Sequence, residues 1–454
     1  MNVTDWLMSQ GQRIPAGLGA IATAFLLTAC GPQQQQISCE SPAPKAAAAN
    51  LNPSSDIQLS VLIDGTPSMQ GYVNGLSDSR YNKTLQLIDS ASSTGWNRAG
   101  TSVKYYRFGT QKQPIDRETY LRAQLPAFYQ GGANFSVSRI DAALSEPSPD
   151  GLSVIVTDLY QKDADVRLVQ NQLAQRFLEK GQAIGVLGVK SEFKGSIYDV
   201  GLTGQSFTYS TASKSSQSFH PFYVILLGSY GNVNRFFEQL KRNGLSDVEH
   251  QFEIFYPQPI QQPAMLDPNG IKGNSRKDLI QPKALNDGQV VVRKQNAQDP
   301  VQFFVMSSKT QATPLPVEIP YKPLDNVLPL DPTAIAVKAT AEQYQKKSKN
   351  FQPINAQGIQ LTDWKVAPQS IQFQSKFQAD ALEKGIYRFT FDASPSDLAE
   401  PAWWAKWNAS EGSLSGDKTN NLLPFLRGLR LSTVELMKQQ NPVIARLCYA
   451  IQKK

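Results

Sequence analysis

Hydrophobic residues in the first half of the chain fall into short runs separated by amphipathic stretches. Residues 57–63 form an apolar run that ends in Asp64, and residues 153–156 form another that leads into Asp158. A short apolar run bounded by turn residues is typical of a strand that is buried on both faces, as in a parallel sheet. The stretches between the runs carry apolar residues at helical spacing. This pattern predicts an α/β domain over residues 56–244 with a doubly wound, mostly parallel sheet.

Further helices and strands complete this predicted domain. The helices are expected at residues 81–91, 137–144, 166–177 and 233–240, and the remaining strands at 103–108, 183–189 and 223–228. Between the last two strands, residues 191–220 are rich in serine, glycine and tyrosine. They predict an inserted hairpin or long loop at the sheet edge, a kind of segment that often carries binding function.

The pattern changes after residue 244. Residues 245–395 contain short strand-like runs separated by proline, asparagine, aspartate and glycine. The predicted strands are residues 251–256, 290–294, 301–307, 313–319, 334–340, 371–377 and 385–391. Several short strands with turn signals between them predict an all-β, sandwich-like domain.

The last segment, residues 396–454, is predicted to be helical. Its first helix contains Trp403, Trp404 and Trp407. These suit a sugar-stacking or membrane-interface patch, but packing against the neighbouring domain is the favoured interpretation. Apolar residues recur at helical spacing over 422–429 and again over 443–451. We interpret these as two amphipathic helices that dock on a domain, with contact to a membrane surface as the alternative.

The amino terminus carries an apolar run, residues 14–27, that is too short to span a membrane comfortably. It leads into Leu27-Thr28-Ala29-Cys30-Gly31, which resembles the lipobox of bacterial lipoproteins. The resemblance implies that residues 1–29 are a signal peptide and that Cys30 becomes an acylated first residue, anchored in the bacterial cell envelope. Glycine after the cysteine favours the outer membrane in a Gram-negative cell. Residues 30–55, rich in Gln, Pro, Ala and Ser, are predicted to be a flexible tether.

Cysteine usage adds one candidate cross-link. Besides Cys30, the chain has Cys39 in the predicted tether and Cys448 near the other end. Two thiols in an oxidising compartment can form a disulfide. They can equally be two free thiols that never meet.

Composition and charge narrow the possible functions only slightly. With 454 residues, 41% apolar and 18% charged, the chain is long enough for two or three globular domains. The net charge is +7, and six cations against Glu435 place +5 of it in residues 421–454. A basic tail favours anionic surfaces, and lipid headgroups suit an exported chain better than nucleic acid. A solvated helix face is the simpler interpretation, and no nucleic-acid partner is expected.

The turn after the first apolar run is the strongest chemical signal. Asp64, Thr66 and Ser68 follow a predicted strand at positions i, i+2 and i+4. Open parallel sheets bind ligands beyond the carboxyl ends of their strands. A carboxylate and two hydroxyls in one turn can converge on a hard cation such as Mg²⁺, which prefers oxygen ligands.

This D-x-T-x-S pattern resembles the metal-ion-dependent adhesion site of von Willebrand factor A-like domains. The resemblance covers residues 56–244 and implies a second motif, which here reads Gly131-Gly132-Ala133-Asn134-Phe135-Ser136, and a third, which is present as Thr157-Asp158. Ala133 replaces the threonine that would reach the metal, so Asn134 or Ser136 is expected to substitute. The implied Mg²⁺ ligands are Asp64, Thr66, Ser68, Asn134, Ser136 and Asp158. The alternative is a degenerate site in which Asp64 only accepts hydrogen bonds within the turn.

Several other chemistries find no support in the sequence. The Leu62-Ile63-Asp64-Gly65-Thr66 stretch is similar to the nucleophile loop of haloacid dehalogenase-like phosphatases, but the attacking aspartate would fall at Leu62. Two histidines, His220 and His250, do not form a zinc-hydrolase motif. The chain has no Walker A loop and no nucleophile elbow.

We therefore expect a lipid-anchored envelope protein, not an enzyme, whose A-like domain binds a protein partner through a bridging Mg²⁺. The alternative is an envelope hydrolase that uses Asp64 and Asp158 as paired carboxylates.

Overall fold

The computed structural model describes residues 32–41, 51–96, 100–144, 148–159, 163–200, 205–271, 279–307, 310, 314–355, 357–367, 369–410 and 413–454. The predicted signal peptide and the lipidation site Cys30 lie outside these described residues. Within the described ranges, no helix has both the length and the apolar character needed to cross a membrane.

After a first strand, β1 (Gln33–Ile37), strands and helices alternate in an α/β unit. Strands β2 to β10 are Ile57–Asp64, Thr101–Phe108, Lys112–Ile115, Gly151–Thr157, Ala183–Ser191, Lys194–Val200, Gln205–Ser210, His220–Gly228 and His250–Phe255. Helices α1 to α5 are Arg80–Thr94, Arg117–Leu121, Ile140–Ala143, Asp163–Arg176 and Tyr230–Arg242. The two helices α1 and α5 begin after Ser79 and Ser229, whose hydroxyls accept hydrogen bonds from the first-turn backbone.

Seven of these strands form one sheet in the order β10-β6-β9-β5-β2-β3-β4. β2 lies between β3 and β5 and is parallel to both. The other four neighbouring pairs are antiparallel, so the prediction of a mostly parallel sheet is wrong and the sheet is mixed. For the pair of β6 and β9, the physical reason is the connection between them. It is the hairpin β7–β8 and not a helical crossover, and only a crossover joins parallel neighbours.

Two details of the α/β unit differ from the prediction. The hairpin β7–β8 forms as expected, but it extends from the ends of two interior strands and not from the sheet edge. β10 pairs with β6, so the unit continues to Phe255, beyond the predicted boundary at residue 244. The residues of β10 do not indicate which sheet the strand joins, because the pairing partners of a strand are distant in sequence.

The remaining chain is rich in strands and contains two helices. Strands β11 to β21 are Ala264–Met265, Leu279–Ile280, Leu285–Asn286, Val290–Lys294, Gln302–Met306, Pro314–Pro320, Ile335–Gln345, Asn350–Ile354, Ile359–Val366, Ser370–Phe377 and Gly385–Pro395. They are followed by α6 (Ala402–Trp407), α7 (Leu422–Gln440) and a last strand, β22 (Ala445–Lys453).

These strands form three sheets that pack face to face. The largest has the order β12-β15-β22-β21-β17-β18, with β11 also paired to β22. The sheet β16-β20-β19 covers one face, where the Phe377 ring lies 5.1 Å from Phe304 and 5.9 Å from Tyr449. The sheet β1-β14-β13 covers the other face, where Val292 clusters with Ala450. This layering agrees with the predicted sandwich-like packing.

The prediction of a second carboxyl-terminal helix is wrong, because residues Ala445–Lys453 form the strand β22. It is an interior strand, parallel to β15 and antiparallel to β21. Leu447 and Tyr449 face one covering sheet, and Cys448 and Ala450 face the other. A strand buried on both faces has no polar alternation, so its apolar run cannot be told from a helix by periodicity. The predicted boundary at residue 396 therefore does not separate a helical segment from the β unit.

The predicted flexible tether is also wrong in part. Gln33 to Ile37 pair in parallel with Val290 to Lys294, and Ile37 and Cys39 are buried. The structure joins Cys39 to Cys448 in a disulfide, with their Cα atoms 5.8 Å apart. A run of glutamines has no apolar alternation, so its strand is formed by backbone pairing with a distant partner and is invisible to pattern analysis.

The tryptophan helix packs between the two units, as the favoured interpretation expected. Trp404 is fully buried and stacks on Phe255 at 5.9 Å. The Trp403 indole N–H donates to the Glu253 carboxylate at 3.3 Å. Burial raises the pKa of Glu253 to about 7, against the effect of this hydrogen bond. These rings are therefore not available as a sugar-stacking or membrane patch.

The basic tail is largely neutralised by ion pairs. Arg427 pairs with Glu400 at 2.7 Å, Arg430 with Asp397 at 2.6 Å, and Arg446 with Asp392 at 2.6 Å. One face of α7 packs on α4. The tail thus does not form the cationic surface that its composition suggested.

Candidate functional site

The carboxyl ends of β2 and β5 meet at one edge of the mixed sheet. Ile63 is in register with Val156, so Asp64, the last residue of β2, lies beside Thr157, the last residue of β5. Asp158 follows directly and is 2% exposed. The structure therefore brings the first and third predicted motifs to the same edge.

The Asp64 carboxylate is fully buried and accepts four hydrogen bonds. Its Oδ1 accepts from the backbone N–H of Thr66 at 3.1 Å and from the Thr66 hydroxyl at 2.7 Å. Its Oδ2 accepts from the hydroxyls of Ser138 at 2.6 Å and Thr157 at 2.9 Å. The Thr66 hydroxyl also lies 3.0 Å from the Ser68 hydroxyl. Five oxygen-bearing side chains thus converge at this point.

The second loop contributes Ser138, and neither of the two residues named from the sequence reaches Asp64. The Asn134 side chain is exposed, and the Ser136 hydroxyl donates to the Ala133 carbonyl at 2.9 Å. Ala133 is exposed as well. The structure thus does not bring Asn134 or Ser136 to Asp64, and their role as metal ligands stays a prediction. A 3-10 turn at Ala133–Phe135 shapes the loop so that Ser138 lies over the strand ends. A motif of fixed length does not predict this.

Arg107 of β3 positions both loops, and the sequence analysis missed it. Its guanidinium carbon lies 3.6 Å from the centre of the Phe135 ring, and its Nη2 donates to the Gly65 carbonyl at 3.0 Å. A cation over an aromatic face is attractive. A Cβ at Gly65 would lie 2.2 Å from the Arg107 Nε, so any other residue there would displace the Arg107 side chain. Only the pairing of β3 with β2 makes this arginine a neighbour of the site.

Burial is the dominant electrostatic influence on Asp64. It raises the pKa of the Asp64 carboxyl, and the hydrogen bonds from Ser138, Thr66 and Thr157 lower it in part. Burial lowers the pKa of the Arg107 guanidinium, and the charges of Tyr129 and Asp64 raise it in part. A nearby positive charge would therefore stabilise the ionised form of the Asp64 carboxyl.

Two buried tyrosines, Tyr81 and Tyr129, lie close enough to the carboxyl groups to be affected by their charge. The Tyr81 hydroxyl lies 2.8 Å from that of Tyr129, and both side chains are buried. Burial raises the pKa of Tyr81, and the charges of Asp64 and Asp158 raise it further. These phenols therefore stay protonated. They supply a rigid, neutral wall behind the strand ends.

The donor set fits a small hard cation. Every side chain at Asp64 offers oxygen, and adjacent oxygens are 2.7 Å and 3.0 Å apart at Thr66. Ligands at about 2.1 Å in an octahedron are separated by about 3 Å, which is close to these distances. Ser68 and Ser138 are half-buried and form the exposed side of the cluster. Among the described residues, no group of three or more His, Cys, Asp or Glu could hold a metal, so hydroxyls would supply most ligands.

Comparison with known proteins adds no assignment. No protein-family model matches the chain, and no curated protein matches it significantly.

Proposed function

We propose that the chain is a lipid-anchored protein of the bacterial cell envelope whose α/β unit, a von Willebrand factor A-like domain, binds a protein partner at the Asp64 edge. The observation that carries the proposal is the convergence of Asp64, Thr66, Ser68, Ser138 and Thr157. A general acid or base must reach its substrate, whereas Asp64 is fully buried and saturated with donors. This favours binding over the paired-carboxylate hydrolase.

Mg²⁺ is the cation that these residues suit. Asp64, Thr66, Ser68 and Ser138 would hold it, with Asp158 as the nearby second carboxyl group. When bound, the cation would attract a carboxylate of the partner to the exposed side of the cluster. Thr66 and Ser138 now donate to Asp64, and their hydroxyl protons would turn outward to free oxygen lone pairs.

Calorimetric titration of the full mature chain with Mg²⁺ tests the metal site. Asp64→Asn should abolish the binding heat because it removes the carboxylate at the centre of the cluster. Ser138→Ala should weaken binding about tenfold, equivalent to about 1.4 kcal/mol. Asparagine is preferred to alanine at residue 64 because alanine would leave four donors without an acceptor.

Ser136→Ala is the matched control, since it lies in the same loop and should leave the titration unchanged. No Mg²⁺ heat in the wild type would show that the cluster is a closed hydrogen-bond network. Crosslinking in intact cells, repeated in EDTA, tests the partner. Capture that is insensitive to EDTA and to Asp64→Asn would place the interface elsewhere.

The lipid anchor is tested separately at Cys30. Cys30→Ser should leave an uncleaved precursor that takes up no labelled palmitate, because the acylated thiol is gone. Mass spectrometry of the mature amino terminus provides the measurement. An acylated Cys30→Ser protein would contradict the assignment.

A further inference from the structure

Strand β1 is tied to the turn that joins β17 to β18. The Tyr344 hydroxyl donates to the Gln33 side-chain carbonyl at 3.1 Å, and the Gln35 side-chain amide donates to the Lys349 carbonyl at 3.1 Å. The pairing of β1 with β14 and the Cys39–Cys448 disulfide hold the strand in this place. The start of β1 therefore has a fixed position next to the β17–β18 turn.

Chain length places Cys30 close to the same turn. Three residues lead from Cys30 to Gln33, and an extended chain spans at most about 3.6 Å per residue. Cys30 is therefore within about 11 Å of the first residue of β1. Electrostatic screening at physiological salt acts over about 8 Å, a length similar to this connection, so charges on this turn can act on a surface that holds Cys30.

The β17–β18 turn is strongly basic. Lys346, Lys347 and Lys349 are all exposed, and in the described part of the chain none of them forms an ion pair. The charge of Asp287 acts on Tyr344 beside this turn, and the Asp287 carboxylate accepts hydrogen bonds from the backbone N–H groups of Gln289 and Val290. The four residues of the turn, 346–349, carry three lysines and no acid, so the turn itself is positive.

We propose that the β17–β18 turn docks on anionic lipid headgroups of the membrane in which Cys30 is anchored. This inference rests on the proposed lipidation of Cys30. Stable membrane attachment commonly combines acyl chains with a basic patch. Here a short segment connects Cys30 to β1, which is tied to the basic turn, so the turn sets the orientation of the protein on the bilayer. The basic residues of the carboxyl-terminal tail do not provide this contact with lipid headgroups, because three of its arginines are paired with acidic side chains.

Chemical tethering tests the docking without relying on acylation in cells. Because Cys39 and Cys448 are joined, a mature chain beginning at Cys30 has one free thiol, which can be coupled to a maleimide lipid in vesicles. A water-soluble amine reagent then labels lysines, read out by mass spectrometry. On vesicles of phosphatidylcholine and phosphatidylglycerol in equal parts, Lys346, Lys347 and Lys349 should be labelled several-fold less than on phosphatidylcholine alone.

Exposed lysines elsewhere, Lys104, Lys194 and Lys322, serve as the internal control and should be labelled equally on both vesicles. Protection that is the same on neutral and anionic vesicles would overturn the role of charge. Absence of protection would overturn the docking. If Cys30 proves to be unacylated in cells, the anchor is refuted, whereas the tethered result still decides the surface.

A variant series measures the strength of the contact. The untethered Cys30→Ser mature chain is sedimented with the anionic vesicles, with and without Lys346→Gln, Lys347→Gln and Lys349→Gln combined. At about 1 kcal/mol per lysine, the triple variant should bind up to about 100-fold more weakly. The same three changes at Lys104, Lys194 and Lys322 should have a much smaller effect. Equal losses in both triple variants would reduce the effect to net charge and contradict the proposal.

Discussion

Replacing Cys39 and Cys448 by serine is expected to lower the free energy of unfolding by on the order of 5 kcal/mol. The disulfide closes a loop with a sequence separation of 409 residues, and closing a long loop restricts the unfolded chain most. The same change should release β1, because Cys39 follows that strand directly and is buried against Cys448. Chemical denaturation measures the first effect, and hydrogen exchange of the β1 amides measures the second.

Cys30→Ser is the control for this experiment, since it removes a thiol and leaves the cross-link in place. Thiol labelling of the unreduced, denatured mature protein should detect no free Cys39 or Cys448. Labelling of both cysteines, or unchanged denaturation in the double serine variant, would show that β1 is held in place by its pairing with β14 and not by the cross-link.

Lowering the pH from 6.5 towards 4 is expected to destabilise the α/β unit through His220. This histidine is buried between the rings of Tyr72 and Phe193, at 5.4 Å and 4.4 Å, and its Nδ1 lies 2.5 Å from the Gly416 carbonyl. Burial lowers the pKa of His220 to about 4, although the Gly416 hydrogen bond raises it in part.

The sign of the effect follows from the proton count. The unfolded chain binds a proton near pH 6.5 and the folded chain only near pH 4, so stability is fully present above pH 6.5 and is lost as the pH falls between these values. At about 1.4 kcal/mol per pKa unit, the loss is on the order of 3 kcal/mol. Glu253 acts in the opposite sense, because its pKa is raised to about 7 and its contribution is lost as the pH rises.

The difference between wild type and His220→Asn isolates the histidine. Asparagine keeps an N–H that can donate to the Gly416 carbonyl but does not titrate. Urea denaturation at a series of pH values should give a flatter acid limb for the variant, whatever its absolute stability. Parallel curves for the two proteins would show that His220 does not carry the acid sensitivity.

The candidate site was predictable where one local segment determines it. The apolar run before Asp64 identifies a strand, and the turn residues Thr66 and Ser68 then share its carboxyl end. The choice of Ser138 over Asn134 and Ser136 was not predictable. It depends on the path of a loop that the stacking of Phe135 on Arg107 positions, and Arg107 lies on a different strand.

The sequence by itself determined the α/β order of the first unit, the strand-rich character of the second and the turn that carries Asp64. These follow from local apolar periodicity and turn chemistry, which act over a few residues. The tertiary structure decided that residues 445–453 are a strand, that the glutamine run forms β1, and that β10 belongs to the first sheet. Backbone hydrogen bonds to strands far away in sequence decide these three, because an isolated apolar or glutamine run has no preference strong enough to choose its own partner.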